Sequence, residues 1–199
     1  MLFGRKGADM RLGKFLFRFI TTIIIVVIIA AGVLIWYIAP DRKLNLNYTD
    51  LNIQDKAMQM LKTKKPEITL NNEELNELAK KELIKHMGDM PPQVTVTGAE
   101  FQFHGQEVTA DINGKWEFIP FGAELTFTMD ADGSVIVLKH ESTRIKSIRV
   151  PAETWGLGTL SVPLREHLPD ILRVDDVQFL DEGVKLTFKL NWLDLPSLF

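Results

Sequence analysis

The stretch from Phe19 to Pro40, FITTIIIVVIIAAGVLIWYIAP, carries no charged side chain. It constrains the chain more than any other feature. At 1.5 Å rise per residue, roughly 20 helical residues match the ~30 Å hydrocarbon thickness of a bilayer. Between Ile20 and Ala39 lie eight Ile, three Val and one Leu. Each favours insertion by about 0.3–0.6 kcal/mol, so together they supply on the order of −4 to −7 kcal/mol. A cleaved secretion signal has an apolar core of about 7–15 residues followed by a small-x-small site. Here the core is longer, its far end from Leu34 to Ile38 is bulky, and Ala30-Ala31-Gly32 lies in mid-span. The sequence therefore predicts an anchor that stays, with residues 20–39 as a transmembrane helix and Trp36 and Tyr37 at the outer interface.

Charge sets the expected orientation. Arg5, Lys6, Arg11, Lys14 and Arg18 precede the span against a single Asp9, whereas Asp41, Arg42 and Lys43 follow it. The cationic side stays in the cytoplasm. Residues 1–19 are then a cytoplasmic basic tail, and the carboxyl-terminal part is extracytoplasmic, held at the cell membrane by a single pass. Beyond residue 40 remain 18 of the 23 Lys and Arg and 25 of the 26 Asp and Glu, a net of −7. Such a domain lacks the clustered cations that nucleic acid requires, so no nucleic-acid partner is expected. The absence of Cys excludes disulfides, thiolate metal sites and a Cys nucleophile. It fits an envelope without oxidative folding.

About 155 residues suit one domain. Residues 40–66 read as a juxtamembrane linker with some helix (Ile53, Ala57, Met60 and Leu61 at helical spacing), ending in Lys62, Lys64, Lys65 and Pro66. This Lys run reads as a solvated face. Residues 67–199 then form the extracytoplasmic domain. ITLNNEELNELAKKELIKHMG, from Ile68, is the clearest helix. Asn71 with Glu74 makes a capping-box pattern, Glu73 and Glu74 open the helix, Lys80, Lys81 and Lys85 close it, and Gly88 offers a left-handed stop. From Pro91 the period changes to two, with stretches at 106–112 and 115–121 and a hairpin signal at Asp132-Gly133. WGLGTLSVPLREHLPDIL suggests a second short helix capped by Ser161, with Pro163 in its first turn. A last hairpin turns at Asp181-Glu182-Gly183. The expected class is α+β: one transmembrane helix, then a twisted antiparallel sheet with two helices packed on one face.

Chemistry-bearing patterns are sparse. His86, His104, His140 and His167 show no H-E-x-x-H or other ligand spacing, and neither a G-x-S-x-G elbow nor a phosphate-cradling G-x-x-x-x-G-K occurs. No catalytic residue, metal ligand or cofactor is assigned, and the chain is read as a non-enzyme. What the strands do carry is large apolar side chains. If helix and curved sheet close incompletely, they leave an apolar trough for an acyl chain. Its candidate wall residues are Leu75, Leu78, Leu83, Phe101, Phe103, Trp116, Phe118, Phe127 and Leu164.

Three features resemble the YpmS family of membrane-anchored proteins of Gram-positive bacteria. They are the short basic tail leading into one uncleaved span, ITLNNEELNELAKKEL as the helix that opens the domain, and LGTLSVP (157–163) as a turn into a second short helix before the closing strands. The resemblance implies no catalytic or ligand residues. The layout also looks like half of a tubular lipid-binding domain, a likeness of outline that does not argue function. The reading is a membrane-anchored domain that binds an apolar or lipid-like ligand at the cell envelope, with the lipid bilayer, an acyl chain or an envelope protein as partners. The alternative is a scaffold or regulator of another envelope protein that takes no small ligand.

Overall fold

The computed structural model describes residues 6–51, 55–56, 59–60, 65–151, 158–166, 168 and 172–190, and the side chains of all these except 6–16, 166 and 190. It divides into two compact units, Met1–Ala39 and Pro40–Phe199. The first is helix α1, Lys6–Ile38. Within it the 22 residues from Phe17 to Ile38 are long and apolar enough to cross a membrane, and none of them is buried against protein. Thr21 and Thr22 donate their hydroxyls to the carbonyls of Phe17 and Arg18 at 2.8 and 2.9 Å. Both hydroxyl donors are thereby satisfied inside the helix, as an apolar solvent demands.

The second unit runs β1 (Glu67–Asn71), α2 (Asn72–His86), a 3-10 turn (Met87–Asp89), β2 (Val94–His104), β3 (Glu107–Trp116), β4 (Ile119–Asp132), β5 (Val135–Ile145) and β6 (Ile148–Val150). It continues with β7 (Thr159–Pro163), a second 3-10 turn (Leu164–Glu166), β8 (Leu172–Leu180) and β9 (Gly183–Leu190). The α+β class stands. All strand pairs are antiparallel, but they make two sheets rather than one: β2-β3-β4-β5-β6 with β7 also on β5, and a smaller β1-β9-β8.

Local chemistry explains most element ends. Asn71 caps α2 by accepting from the Glu74 amide at 2.9 Å, and Glu74 accepts from the Asn71 amide at 3.1 Å. Such a cap contributes about 1 kcal/mol. Lys56 adds an ion pair to Glu74 at 2.6 Å. Gly133 takes φ +59° at the first of the two central positions, Gly133-Ser134, of the turn that pairs Asp132 with Val135, a position that favours Gly.

Three expectations are corrected. Ser161 caps no helix: it lies within β7, opposite Val137, and a single 3-10 turn follows. Pro163 is tolerated there because it ends a strand at the sheet's margin, where its missing N–H is not needed. Gly88 is not left-handed, since α2 passes through Met87 (φ −60°) into a 3-10 turn. Asn113-Gly114, which separated two expected stretches, lies inside β3, and the turn comes at Glu117-Phe118.

The outer edge of β2 is closed group by group. The amides of Phe101 and Phe103 donate to the side-chain oxygens of Asn76 and Asn72 on α2, at 2.9 and 3.1 Å. The amides of Ala99 and Gly105 donate to the carbonyls of Asn45 and Leu180 at 3.2 and 3.1 Å. Each such amide left without a partner would cost about 1–3 kcal/mol.

The residues read as a linker are laid on the sheet. Register places Gly98, Asn113 and Gly122 in one row across β2, β3 and β4. Pro40 lies over Gly122, with its Cα 3.1 Å from where a Cβ would stand. The Arg42 carbonyl accepts from the buried Asn113 amide group at 2.6 Å. Leu44 presses its backbone onto Gly98, where a Cβ would run into it. Farther on, Thr49 and Asp50 reach Glu77 and Lys81 of α2. The exposed ion pairs contribute at most ~1 kcal/mol each, so shape and the buried Asn113 bond hold this strap. Gly98→Ala should therefore lower stability by about 1–3 kcal/mol, a fall of roughly 3–10 °C in the thermal midpoint of the purified full chain followed by circular dichroism. Gly88→Ala, whose Cβ would meet nothing within 4 Å, should melt like the parent. Equal midpoints for both variants would mean the strap is not seated as described.

Candidate functional site

Because side chains alternate along a strand, register decides what each face of the larger sheet presents. One face is apolar in successive rows: Phe103–Val108–Phe127, Phe101–Ala110–Leu125, Ala99–Ile112–Ala123, Val96–Gly114–Phe121, and Val94–Trp116–Ile119. A bulge between Val96 and Gly98 keeps β2 in phase across the change of register. The smaller sheet covers only one end of this face. There Ile68, Leu70, Val184, Leu186 and Phe188 bury against Phe103, Val108, Ala110, Phe127 and Met129. Each such side chain stabilises the fold by about 1.5–3 kcal/mol. Ile112 and Leu125 still pack against that core, but Val96, Phe121 and Ala123, though buried, are not part of it. Gly114 makes room for the Phe121 ring, whose Cζ stands 2.6 Å from the position a Cβ would take.

The nine candidate wall residues separate accordingly. Phe103, Phe127 and Leu164 are buried in the core between the sheets, and Leu75, Leu78 and Phe101 pack against it half-buried. Leu83 is half-buried farther along α2. Trp116 and Phe118 lie at the opposite end, at the β3–β4 turn, 51% and 77% exposed. They do not line one wall. Val96, Ile112 and Phe121, which lie between the two groups on the same face, were not among the candidates. Their shared face follows from strand register, and only the alternation in β2, β3 and β4 hinted at it.

The larger sheet's apolar face also holds two polar side chains, His140 opposite Phe127 and Thr143 opposite Leu125. His140 Nε2 and Thr143 Oγ1 are 2.8 Å apart, and the two imidazole and phenyl rings of His140 and Phe127 have centroids 5.3 Å apart. Thr143 has no solvent exposure and His140 Nδ1 has no hydrogen-bond partner. An activated nucleophile needs access and a third group to orient its base, and this pair has neither. His86 meets Asp89 at 3.1 Å on an exposed helix end; His167 lies outside the described residues, as do Lys62 and Lys64. Among the described residues no three His, Asp or Glu side chains gather closely enough to hold a metal ion.

The opposite face is charged. Glu100, Asp111, Glu124, Arg144 and Arg149 form one row across β2 to β6. Arg42 from the strap pairs with Glu100 at 3.1 Å and with Asp111, and Arg144 pairs with Glu124 at 2.6 Å. Burial beneath the strap pushes the Asp111 carboxyl above its ordinary value; Glu124 and Glu100 add to this, and Arg42 opposes it. On α2, the hydrogen bond to Asp50 raises the Lys81 ammonium.

Comparison with protein-family models, with characterised proteins and with solved structures finds no match for this chain.

Two outcomes follow for stability. An acid whose folded pKa is raised holds its proton more tightly when folded, so it favours the fold below its unfolded value and loses that contribution as pH rises through the folded one. The stability advantage of the parent over Asp111→Asn, from urea melts between pH 3 and pH 7, should therefore shrink as pH rises from the ordinary carboxylate value. A difference that grows with pH would refute the burial effect. Thr143→Val should cost about 1–3 kcal/mol by stripping Nε2 of its partner, and His140→Leu with Thr143→Val should recover at least half of that loss. A double variant no better than the single one would show that the pair does not act as a unit.

Proposed function

We propose that this chain is a single-pass membrane protein whose Phe17–Ile38 helix stays in the bilayer with the basic tail in the cytoplasm. Its second unit then binds an apolar or lipid-like molecule at the outer face of the cell membrane and does not turn it over. Membership of a YpmS-like family belongs to the same proposal and rests on the tail, the span and the capped helix.

The observation that carries the reading is the reach of the apolar sheet face. It runs without a polar break from the core between the sheets, through the buried Val96, Phe121 and Ala123, to the half-exposed Trp116. An acyl chain is matched by a strip that is greasy along its length. The enclosed His140–Thr143 pair, without access or an orienting carboxylate, supports a non-enzymatic role.

The test is photolabelling of the full chain in phosphatidylglycerol-containing nanodiscs with a photoactivatable fatty acid, followed by peptide mapping. Label should appear within residues 94–127 as well as in the span, and excess unlabelled fatty acid should remove it from 94–127. Label confined to the span would overturn ligand binding. Capture of a single envelope protein by cross-linking in cells, with no label in 94–127, would favour the scaffold reading instead.

A further inference from the structure

The rows of the larger sheet have a direction. The strap crosses at Gly98–Asn113–Gly122. On one side of that row lie the core and the smaller sheet's contacts; on the other lie the β3–β4 turn at Glu117-Phe118 and the β5–β6 turn at Lys146-Ser147. Both turns are at the same end, because β4 and β5 pair Glu124 with Arg144 and run antiparallel from there. The strap begins beside them: Pro40 covers Gly122, and Asp41 is ion-paired with Lys146 of the β5–β6 turn.

This end exposes apolar side chains. Phe118 is 77% exposed, and Trp116 and Ile148 are about half exposed. The turn chemistry points the same way. Glu117 sits at φ +54°, in the two-residue turn joining Trp116 to Ile119. Asn-Gly would adopt that conformation far more easily, yet the sequence places Glu-Phe there. The Glu117 amide donates to the Gln93 carbonyl at 2.7 Å, which holds the turn and leaves the Phe118 ring outside. Lys115 and Arg149, both exposed, flank the apolar group.

We propose that this end is a second membrane contact, in which Phe118, Trp116 and Ile148 enter the headgroup layer of the same bilayer that holds α1. This rests on the reading of Phe17–Ile38 as a retained span. The partner follows from the covalent tether. Pro40 is two residues past Ile38, a reach of at most about 7 Å. From Pro40 onward the chain is docked to the sheet, and Asp41 reaches the β5–β6 turn. Gly122 to Phe118 is four residues of strand, about 13 Å. Aromatic side chains favour the interface, and Lys115 and Arg149 suit anionic headgroups.

The chain has no Cys, so single reporters can be placed cleanly. Phe118→Cys, Ser147→Cys, His104→Cys and Ala31→Cys would each carry an environment-sensitive fluorophore in the full chain, in liposomes of phosphatidylglycerol and phosphatidylethanolamine containing doxyl lipids. Quenching at 118 and 147 should exceed that at 104, at the far end of β2, at least threefold. Adding Trp116→Ser and Ile148→Ser to the Ser147 reporter should bring it down to the level at 104. Equal quenching at 118, 147 and 104, with strong quenching at 31, would overturn the second contact while leaving the anchor intact. Absent quenching at 31 would instead remove the anchor on which the proposal stands.

Discussion

A glycine at 98, a glycine at 122 and an asparagine between them at 113 make one shallow channel across three strands, and the rest of the molecule is arranged around what fills it. The filling is the chain's own segment from Pro40 to Asn45. No side chain larger than hydrogen fits at Gly98 without displacing the Leu44 backbone, so the constraint is steric and nearly all-or-none. The Asn113 bond to the Arg42 carbonyl satisfies a buried polar group that would otherwise oppose folding. Arg42 and Asp41 add ion pairs at the surface, each worth little alone. A contact among residues separated by more than fifty positions thus fixes where the polypeptide enters the domain.

The strap lies on the charged face of the larger sheet, and that placement frees the other face for apolar work. Had residues 40–45 crossed the apolar face, the channel would have buried Arg42 against Phe121 and Ile112, at a cost of several kcal/mol for an unpaired charge. On the charged face Arg42 instead finds Glu100 and Asp111, which would otherwise repel one another and Glu124 along the same row. The raised carboxyl of Asp111 is the residue of that repulsion and of its burial. Apolar burial between the sheets supplies most of the stability; the charges decide which face is available for it.

How far the sequence disclosed this depends on the range of the forces involved. Asn71 and Glu74 act across three residues, and the cap was legible. Asp132-Gly133 and Glu182-Gly183 act across two, and both hairpins form where they were read. The strand at Thr159–Pro163 was not legible, because Ser161 and Pro163 satisfy the local rules of a helix start, while pairing with Val135–Lys139 outweighs those rules. Asn113-Gly114 imitates a turn for the same reason; its two residues serve the strap and the Phe121 ring. The strap itself has no periodicity to detect, since its fit is written in Gly98, Asn113 and Gly122. Of the nine wall residues, the strand residues were correctly apolar, but which end of the face each occupies depends on register that alternation alone does not set.

Sheet edges bear on how such a domain can meet a partner. Recognition by strand addition needs a free row of backbone amides. Along β2 those amides are taken by Asn72, Asn76, Asn45 and Leu180. The other side of β5 is shared by two short strands, β7 over Val135–Lys139 and β6 over Thr143–Ile145, and Pro163 and Pro151 stand at their ends. Short, proline-terminated edge strands resist pairing. With its long edge occupied and its short ones blunted, the larger sheet leaves Trp116 and Phe118 exposed at one tip, beside Lys115 and Arg149. The lipid surface proposed as partner needs no hydrogen bonds from the backbone, and exposed phenyl and indole rings beside scattered cations would match it.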